Sequence, residues 1–402
     1  MANTLLTISM ITREAMRVLE NFLVFTKYVR RDLDSQFGRS GAKIGTTVNV
    51  RKPPRYEGRT GQALSLEDAT ETQVPLTLDT QFGVDLEFSS QDLTLSIDDF
   101  SQRFIYPAIA TIANKIDFDG LALYKDIYNC LGTPGAVPAT LLLYLQLGQR
   151  LNEEAAPKAP RRSVIISPAM EATIVNALSG LFQEASSIAE QYRRGTMGYV
   201  AGLMWSMDQN VNTHVVGALG GTPLVNGASQ SGASLVTDAW TSAAANRLLR
   251  GDVFTIANVN AVNPQNRQST GSLRQFVATD DVASDGSGNA TIPISPSLVA
   301  SGPFQTVDAL PANNAALTIK GAADTNTPQG LAFHRDAFVF ASADLILPGG
   351  TDMAARVSDK QLGMSIRMIR DYDINQDRLI TRLDILYGFA TLYPELAVRM
   401  AS

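Results

Sequence analysis

The chain has 402 residues, a length that implies two or three domains, with 45% apolar residues, 18% charged residues and a net charge of −6. The charged fraction lies below the roughly 25% of an average globular chain, so much of the surface is uncharged, which suits burial between subunits. The acidic balance argues against a dedicated nucleic-acid binder. One cysteine, Cys130, excludes an internal disulfide framework, and with only His214 and His334 beside it there is almost no material for a zinc centre or a histidine relay.

The N-terminus has no charged segment ahead of an apolar run and no small-residue cleavage site, so it does not read as a signal peptide. No run approaches the about 18 apolar residues of a membrane span. A soluble product made in the cytosol, without a membrane partner, is expected. From Ile11, the apolar residues Ala15, Val18, Leu19, Phe22 and Leu23 fall on the stripe of an amphipathic helix, with Arg13, Glu14 and Arg17 on the other face. Two readings stand: a helix docked on its own chain, or an N-terminal arm lying on a neighbouring subunit through those charges.

Residues 43–51 read as a strand, followed by a loop with the breakers Pro53, Pro54, Gly58 and Gly61. From Val74 to Phe88 apolar and polar residues alternate strictly, which predicts one strand of about 50 Å at about 3.3 Å per residue. A hairpin that long projects from a body of this size, and its apolar edge calls for cover by another chain. The loop is polarised, with Arg51, Lys52, Arg55 and Arg59 on its first half and Glu67, Asp68 and Glu71 on its second. Such charges are either solvated or used in a head-to-tail contact between identical subunits.

The period then becomes helical: Ile97, Phe100, Phe104, Ile105, Ala108, Ile109, Ile112, Ala113 and Ile116 predict a spine helix over 97–124, kinked at Pro107. A second helix is expected over 139–154, a buried strand over 163–167 and a further helix opened by Pro168. Residues 221–330 differ in kind, since only 12 of those 110 are charged and Ser, Thr, Ala, Asn and Gly abound. Short strands over 252–257, 274–279, 290–295, 304–307 and 317–320, separated by turn signals, predict a small all-β insertion, a barrel. Strands are expected again over 332–342, 365–371 and 379–393.

Little in this sequence carries chemistry. No P-loop, nucleophile elbow or dinucleotide fingerprint is present. Asp373, Asn375, Asp377 and Asp384 fill four places of a calcium loop, but Arg378 stands where glycine is needed and the flanks read as strands, so a polar turn is the better reading. Arg250-Gly251-Asp252 and the sequon at Asn289 are explained by a turn and by the absence of a secretory route. No catalytic residue, cofactor or metal is expected.

The order of parts resembles the major capsid protein fold of tailed bacteriophages, shared with encapsulins: an arm, a long hairpin with a charged tip, a spine helix, a mixed domain and a C-terminal strand return. Arg250-Gly251-Asp252-Val253-Phe254-Thr255-Ile256-Ala257-Asn258-Val259 resembles a strand of the barrel inserted in coat proteins of certain short-tailed phages, and residues 195–204 and 331–338 resemble core segments of that family. The resemblance implies an α+β chain divided into an N-terminal arm (1–42), an extended hairpin loop (43–88), the spine helix and first part of the core (89–220), the inserted barrel (221–330) and the rest of the core (331–402). It implies a virion shell subunit, assembled in the host cytoplasm into an icosahedral shell with a scaffolding protein and a portal, enclosing double-stranded DNA without sequence-specific binding. Arg13, Glu14, Arg17, Arg51, Lys52, Arg55, Arg59, Glu67, Asp68 and Glu71 are then the subunit-interface candidates. The stretch 235–250 leaves little room for the loop that some relatives extend across a two-fold axis. The alternatives are an encapsulin-like cargo shell and an α/β enzyme with an accessory β domain.

Overall fold

The alternating run from Val74 is two strands, not one. Thr72–Thr77 pairs with Thr47–Lys52, and after a bend at Leu78 and Asp79 the chain resumes as Thr80–Ser89, which pairs along Arg378–Thr391. The apolar period continues through the bend, with Leu76 and Leu78 both buried, so the pattern itself cannot reveal the break. The hairpin's paired strands are therefore six residues each, about 20 Å long instead of about 50 Å.

The structure, a computed structural model, describes residues 15, 19, 22–31, 47–64, 66–89, 105–159, 162–178, 198–242, 245–359 and 364–402. Arg13, Glu14 and Arg17 and the start of the expected spine helix lie outside them. The chain divides into two compact units, one of Met1–Val50, Gln73–Gly120 and Phe338–Leu392, the other of Arg51–Thr72, Leu121–Ala337 and Tyr393–Ser402. The expected hairpin loop is thus shared between both units.

In the first unit a five-stranded antiparallel sheet is organised by the long strand Arg378–Thr391, which pairs with Thr80–Ser89, Met364–Asp373 and Phe338–Ala343. The helix Tyr106–Leu121 buries Ala108, Ile109, Ile112, Ala113 and Ile116, the stripe read from the sequence, and Pro107 is its second described residue. Gly388 is required by close approach, since a Cβ there would collide with the Thr77 carbonyl. Met353–Asp359, which adds the sheet's last strand, was not anticipated.

The second unit holds a seven-stranded mixed sheet in which Asn326–Phe333 lies between Ala397–Ala401 and Arg162–Ile166. Pro168 opens the helix Pro168–Leu178, as its fixed φ favours. The segment expected as one strand over 332–342 is split by a 3-10 turn at Arg335–Ala337, and its two halves, Asn326–Phe333 and Phe338–Ala343, join different sheets.

Between these sheet strands in sequence, residues 221–319 build a separate six-stranded sheet. Its end strands are joined by the bridge Leu224↔Ala316 and by the Val225 N–H to the Ala315 carbonyl at 2.9 Å, so the sheet closes into a barrel. The curvature has a visible source: in Val253–Val262, Asn258 takes φ 62 and the pairing slips between Thr255 and Asn260. Phe254, Phe276, Leu235, Ile256, Ile292 and Leu298 fill the interior without exposure, each burial stabilising by about 1.5 to 3 kcal/mol. Gly221–Val225 and Gly232–Trp240 are strands that the sequence reading missed, whereas 304–307 forms only a bridge at Val307. No described helix is long and apolar enough to cross a membrane.

Candidate functional site

The hairpin loop commits several of its charges within the chain. Arg55 donates to Glu395 at 2.8 Å and its guanidinium lies 5.7 Å from the Phe304 ring. Glu67 accepts the backbone N–H groups of Glu57 and Gly58, both at 2.7 Å, which folds the loop back on itself. Arg59 donates to the Gly61 carbonyl, and the Tyr56 carbonyl accepts from Arg267 at 2.8 Å. Arg51 and Glu71 approach only to 3.8 Å with both side chains open to solvent, a pair worth about 0 to 1 kcal/mol.

Two candidates stay uncommitted. Lys52 is half-buried with its ammonium 4.9 Å from the Tyr393 ring centre, and among the described residues no carboxylate lies within ion-pair distance. Burial holds its pKa below the ordinary lysine value, partly offset by the charge of Glu395. Asp68 is exposed, as is Leu66 at 87%.

The described part of the arm docks on its own unit. Leu19 and Leu23 are buried, and Asp117 accepts from the Val24 N–H at 2.6 Å, the Thr26 N–H at 3.2 Å and the Thr26 hydroxyl at 2.8 Å. Arg30 then pairs with Phe338–Ala343, its N–H donating to Phe338 and its carbonyl accepting from Phe340.

A second constellation, invisible in the sequence, joins the barrel to the mixed sheet within the second unit. Arg274 pairs with Glu154 at 2.6 Å, both side chains nearly without exposure, and its guanidinium stacks 4.5 Å from the Tyr128 ring. Burial pushes the Glu154 carboxyl above its ordinary range while Arg274 opposes the shift, and burial raises the Tyr128 phenol well above 10.0. Gln275 completes the edge strand Cys130–Leu131 by accepting from the Cys130 N–H at 2.7 Å and donating to its carbonyl at 2.9 Å. Lys320 donates to the same carbonyl, and Arg399 to the Gly251 carbonyl.

The chemical candidates are absorbed by structure. His214 bonds Asp252 at 2.8 Å and the Tyr124 hydroxyl at 3.2 Å, and Asp252 also accepts from the Leu249 and Gly217 N–H groups. Gly251 and Asp252 of that tripeptide therefore form a buried corner, while Arg250 is exposed and pairs with Asp126 at 2.9 Å. His334 is buried over the turn it helps to close, and Cys130 is buried. Asp373 accepts from the Asn375 N–H at 3.0 Å and from Arg378 at 3.2 Å, so the calcium-like run is the turn between two paired strands, while Asp384 is held by Arg367 and Gln81. Among the described residues these groups gather into an apparatus for joining parts of the chain.

A family model described as "P22 coat protein - gene protein 5" matches residues 1–401. No curated protein matches the chain. Among solved structures, the chain is similar to one from Mycobacterium phage Che8 (13% identity, TM-score 0.49, covering 94% of this chain and 90% of that one). It is also similar to the capsid of Ralstonia phage GP4 (8% identity, TM-score 0.47, 93% and 91%) and to the capsid structure of the cyanophage P-SCSP1u (9% identity, TM-score 0.46, 94% and 87%).

Proposed function

The chain belongs to the P22 coat protein family and is a shell-forming coat protein of the virion capsid, and from that premise we propose how it acts. Copies of the chain close an icosahedral shell in the host cytoplasm around a scaffolding protein, with a portal, and the shell encloses double-stranded DNA without reading its sequence. The observation that carries this reading is the family match along residues 1–401. A net charge of −6 fits an enclosing wall better than a nucleic-acid reader. The protein performs no catalysis in this reading. Both histidines and the cysteine are buried in structural roles, which supports it.

In the shell, the arm and hairpin loop face neighbouring copies, with Arg13, Glu14, Arg17, Arg51, Lys52, Arg59, Asp68 and Glu71 as contact candidates. Arg55 and Glu67 act first on the loop's own shape, through Glu395 and through the Glu57 and Gly58 N–H groups. Residues 221–330 serve as an inserted domain with a core of its own.

Negative-stain electron microscopy and sedimentation of the purified protein, alone and with the neighbouring scaffolding gene product, test the reading. Closed particles are the expected result. A small monodisperse oligomer under every condition overturns it.

A further inference from the structure

A cavity of about 310 Å³ opens within the second unit, walled by the hairpin base, the barrel and the turn Pro394–Leu396. It has the size of a small-molecule site. Its charges are matched on the spot. Arg274 is held by Glu154 and the Tyr128 ring, Arg55 by Glu395 and the Phe304 ring, and Lys52 lies over Tyr393 within the field of the same Glu395. Cations engaged in this way leave little attraction for a free anion, and the engaged acids leave little for a free cation.

What the walls lack is hydrogen-bond partners. In their most buried part, Glu154 is 5% exposed with its Oε2 unpartnered, and the Nε of Arg274 is unpartnered as well. Groups of this kind are costly to leave unsatisfied. Nearer the mouth, the hydroxyls of Ser295, Ser297 and Thr72 bond to no described residue, and Gln305 engages only its amide nitrogen, on the Val307 carbonyl at 3.0 Å. The walls thus present donors and acceptors together, beside the apolar surfaces of Phe304, Tyr393, Pro53 and Val299. A hydroxyl both donates and accepts, and it carries no charge. The ligand that is uncharged, rich in hydroxyls and apolar on one C–H face is a sugar ring.

We propose that this cavity binds a neutral monosaccharide unit, its C–H face against Phe304 and Tyr393 and its hydroxyls shared among Gln305, Ser295, Ser297 and the Glu154 carboxyl. The site goes beyond the coat reading and does not rest on it, since every group that forms it belongs to one unit of one chain.

Saturation-transfer NMR on the full-length protein tests it, with D-glucose, D-galactose and N-acetyl-D-glucosamine as probes and benzoate as the charged aromatic control. Transfer to the ring protons of at least one sugar is expected, with a dissociation constant of about 1 to 10 mM for a ligand of this size. Phe304→Ala is expected to weaken binding by about fivefold through loss of one apolar wall. Thr72→Trp, at an exposed position of the lining, is expected to block entry and abolish the transfer while leaving the melting curve unchanged. If Phe304→Ala does not fold, Thr72→Trp decides alone. No transfer to any of the three sugars, transfer to benzoate but not to a sugar, or sugar transfer undiminished in Thr72→Trp each overturns the site. Particle formation in the same samples, followed by microscopy, bears only on the coat reading.

Discussion

The barrel and the five-stranded sheet of the first unit place their charges in opposite ways. The barrel's interior cluster is apolar, from Val225 to Leu317, and two of the region's buried charges, Asp252 and Arg274, bond to His214 and Glu154, residues outside the barrel strands, while a third, Arg247, bonds Ser284 and the Leu219 carbonyl. The sheet instead buries a carboxylate inside itself: Asp384 has no exposure and gathers Arg367 at 2.6 Å, Arg382 at 3.0 Å and Gln81 at 2.9 Å, one residue from each of two neighbouring strands and one from its own. A closed barrel has no edge and needs no charge to choose its partners, so polar groups are free to fasten it to the rest of its unit. The sheet assembles strands from distant parts of the chain, and a one-residue slip would strand a charge.

That contrast predicts a graded set of losses. Phe254→Ala is expected to cost about 3 to 5 kcal/mol, because the ring is fully buried and stacked 5.9 Å from Phe276. The loss should appear in urea unfolding followed by Trp240, whose indole lies in the barrel core, once the other tryptophan is removed as Trp205→Phe. A shift of every transition together would show that the barrel is not self-contained. Arg274→Met should cost about 3 kcal/mol by leaving Glu154 buried and unpaired, and Arg274→Met with Glu154→Leu should recover most of it. Failure of that rescue would make the pair a contributor in its own right and not an orientation device. Asp384→Asn should cost about 2 kcal/mol, since an amide keeps a bond to one arginine but not to both. Chemical denaturation of the first unit, followed by hydrogen exchange along Arg378–Thr391, would measure it, and an unchanged exchange pattern would remove the register argument.

What was readable beforehand follows the same division. Barrel strands such as Val253–Val262 and Ala290–Leu298 show in apolar spacing bounded by turns, because their inward faces are filled locally. Gly221–Val225 and Gly232–Trp240 escaped because so much of each faces solvent and carries Gly, Ser and Thr. The bend at Asp79 was invisible because both strands keep one period, and no glycine or proline marks it. The joining residues left no signal at all: Glu154 and Arg274 are 120 positions apart, and only folding makes them neighbours. Of the interface candidates, the loop's charge pattern was legible, but not which charges the chain would use on itself, as Arg55 does with Glu395.

The smallest effect sharpens the contrast most finely, because it asks whether burial or pairing governs the barrel's fastening. Burial is the largest influence on Glu154, Arg274 opposes it, and the result is a carboxyl raised above its ordinary value of 4.5. A folded-state pKa above the unfolded one means the folded chain takes up the proton first as pH falls. The contribution of Glu154 is then most favourable below the unfolded value and is lost as pH rises through the folded one. Relative to Glu154→Gln, which carries no titrating group there, the wild type should therefore gain stability between neutral pH and about 4.5 and change no further below it. Urea denaturation of both proteins at several pH values across that window gives the difference directly, and the constant offset from the lost ion pair cancels from its slope. A slope of the opposite sign would mean that Arg274 holds Glu154 ionised below the ordinary carboxylate range. Pairing and not burial would then govern the barrel's fastening, and the contrast between the two regions would lie in topology alone.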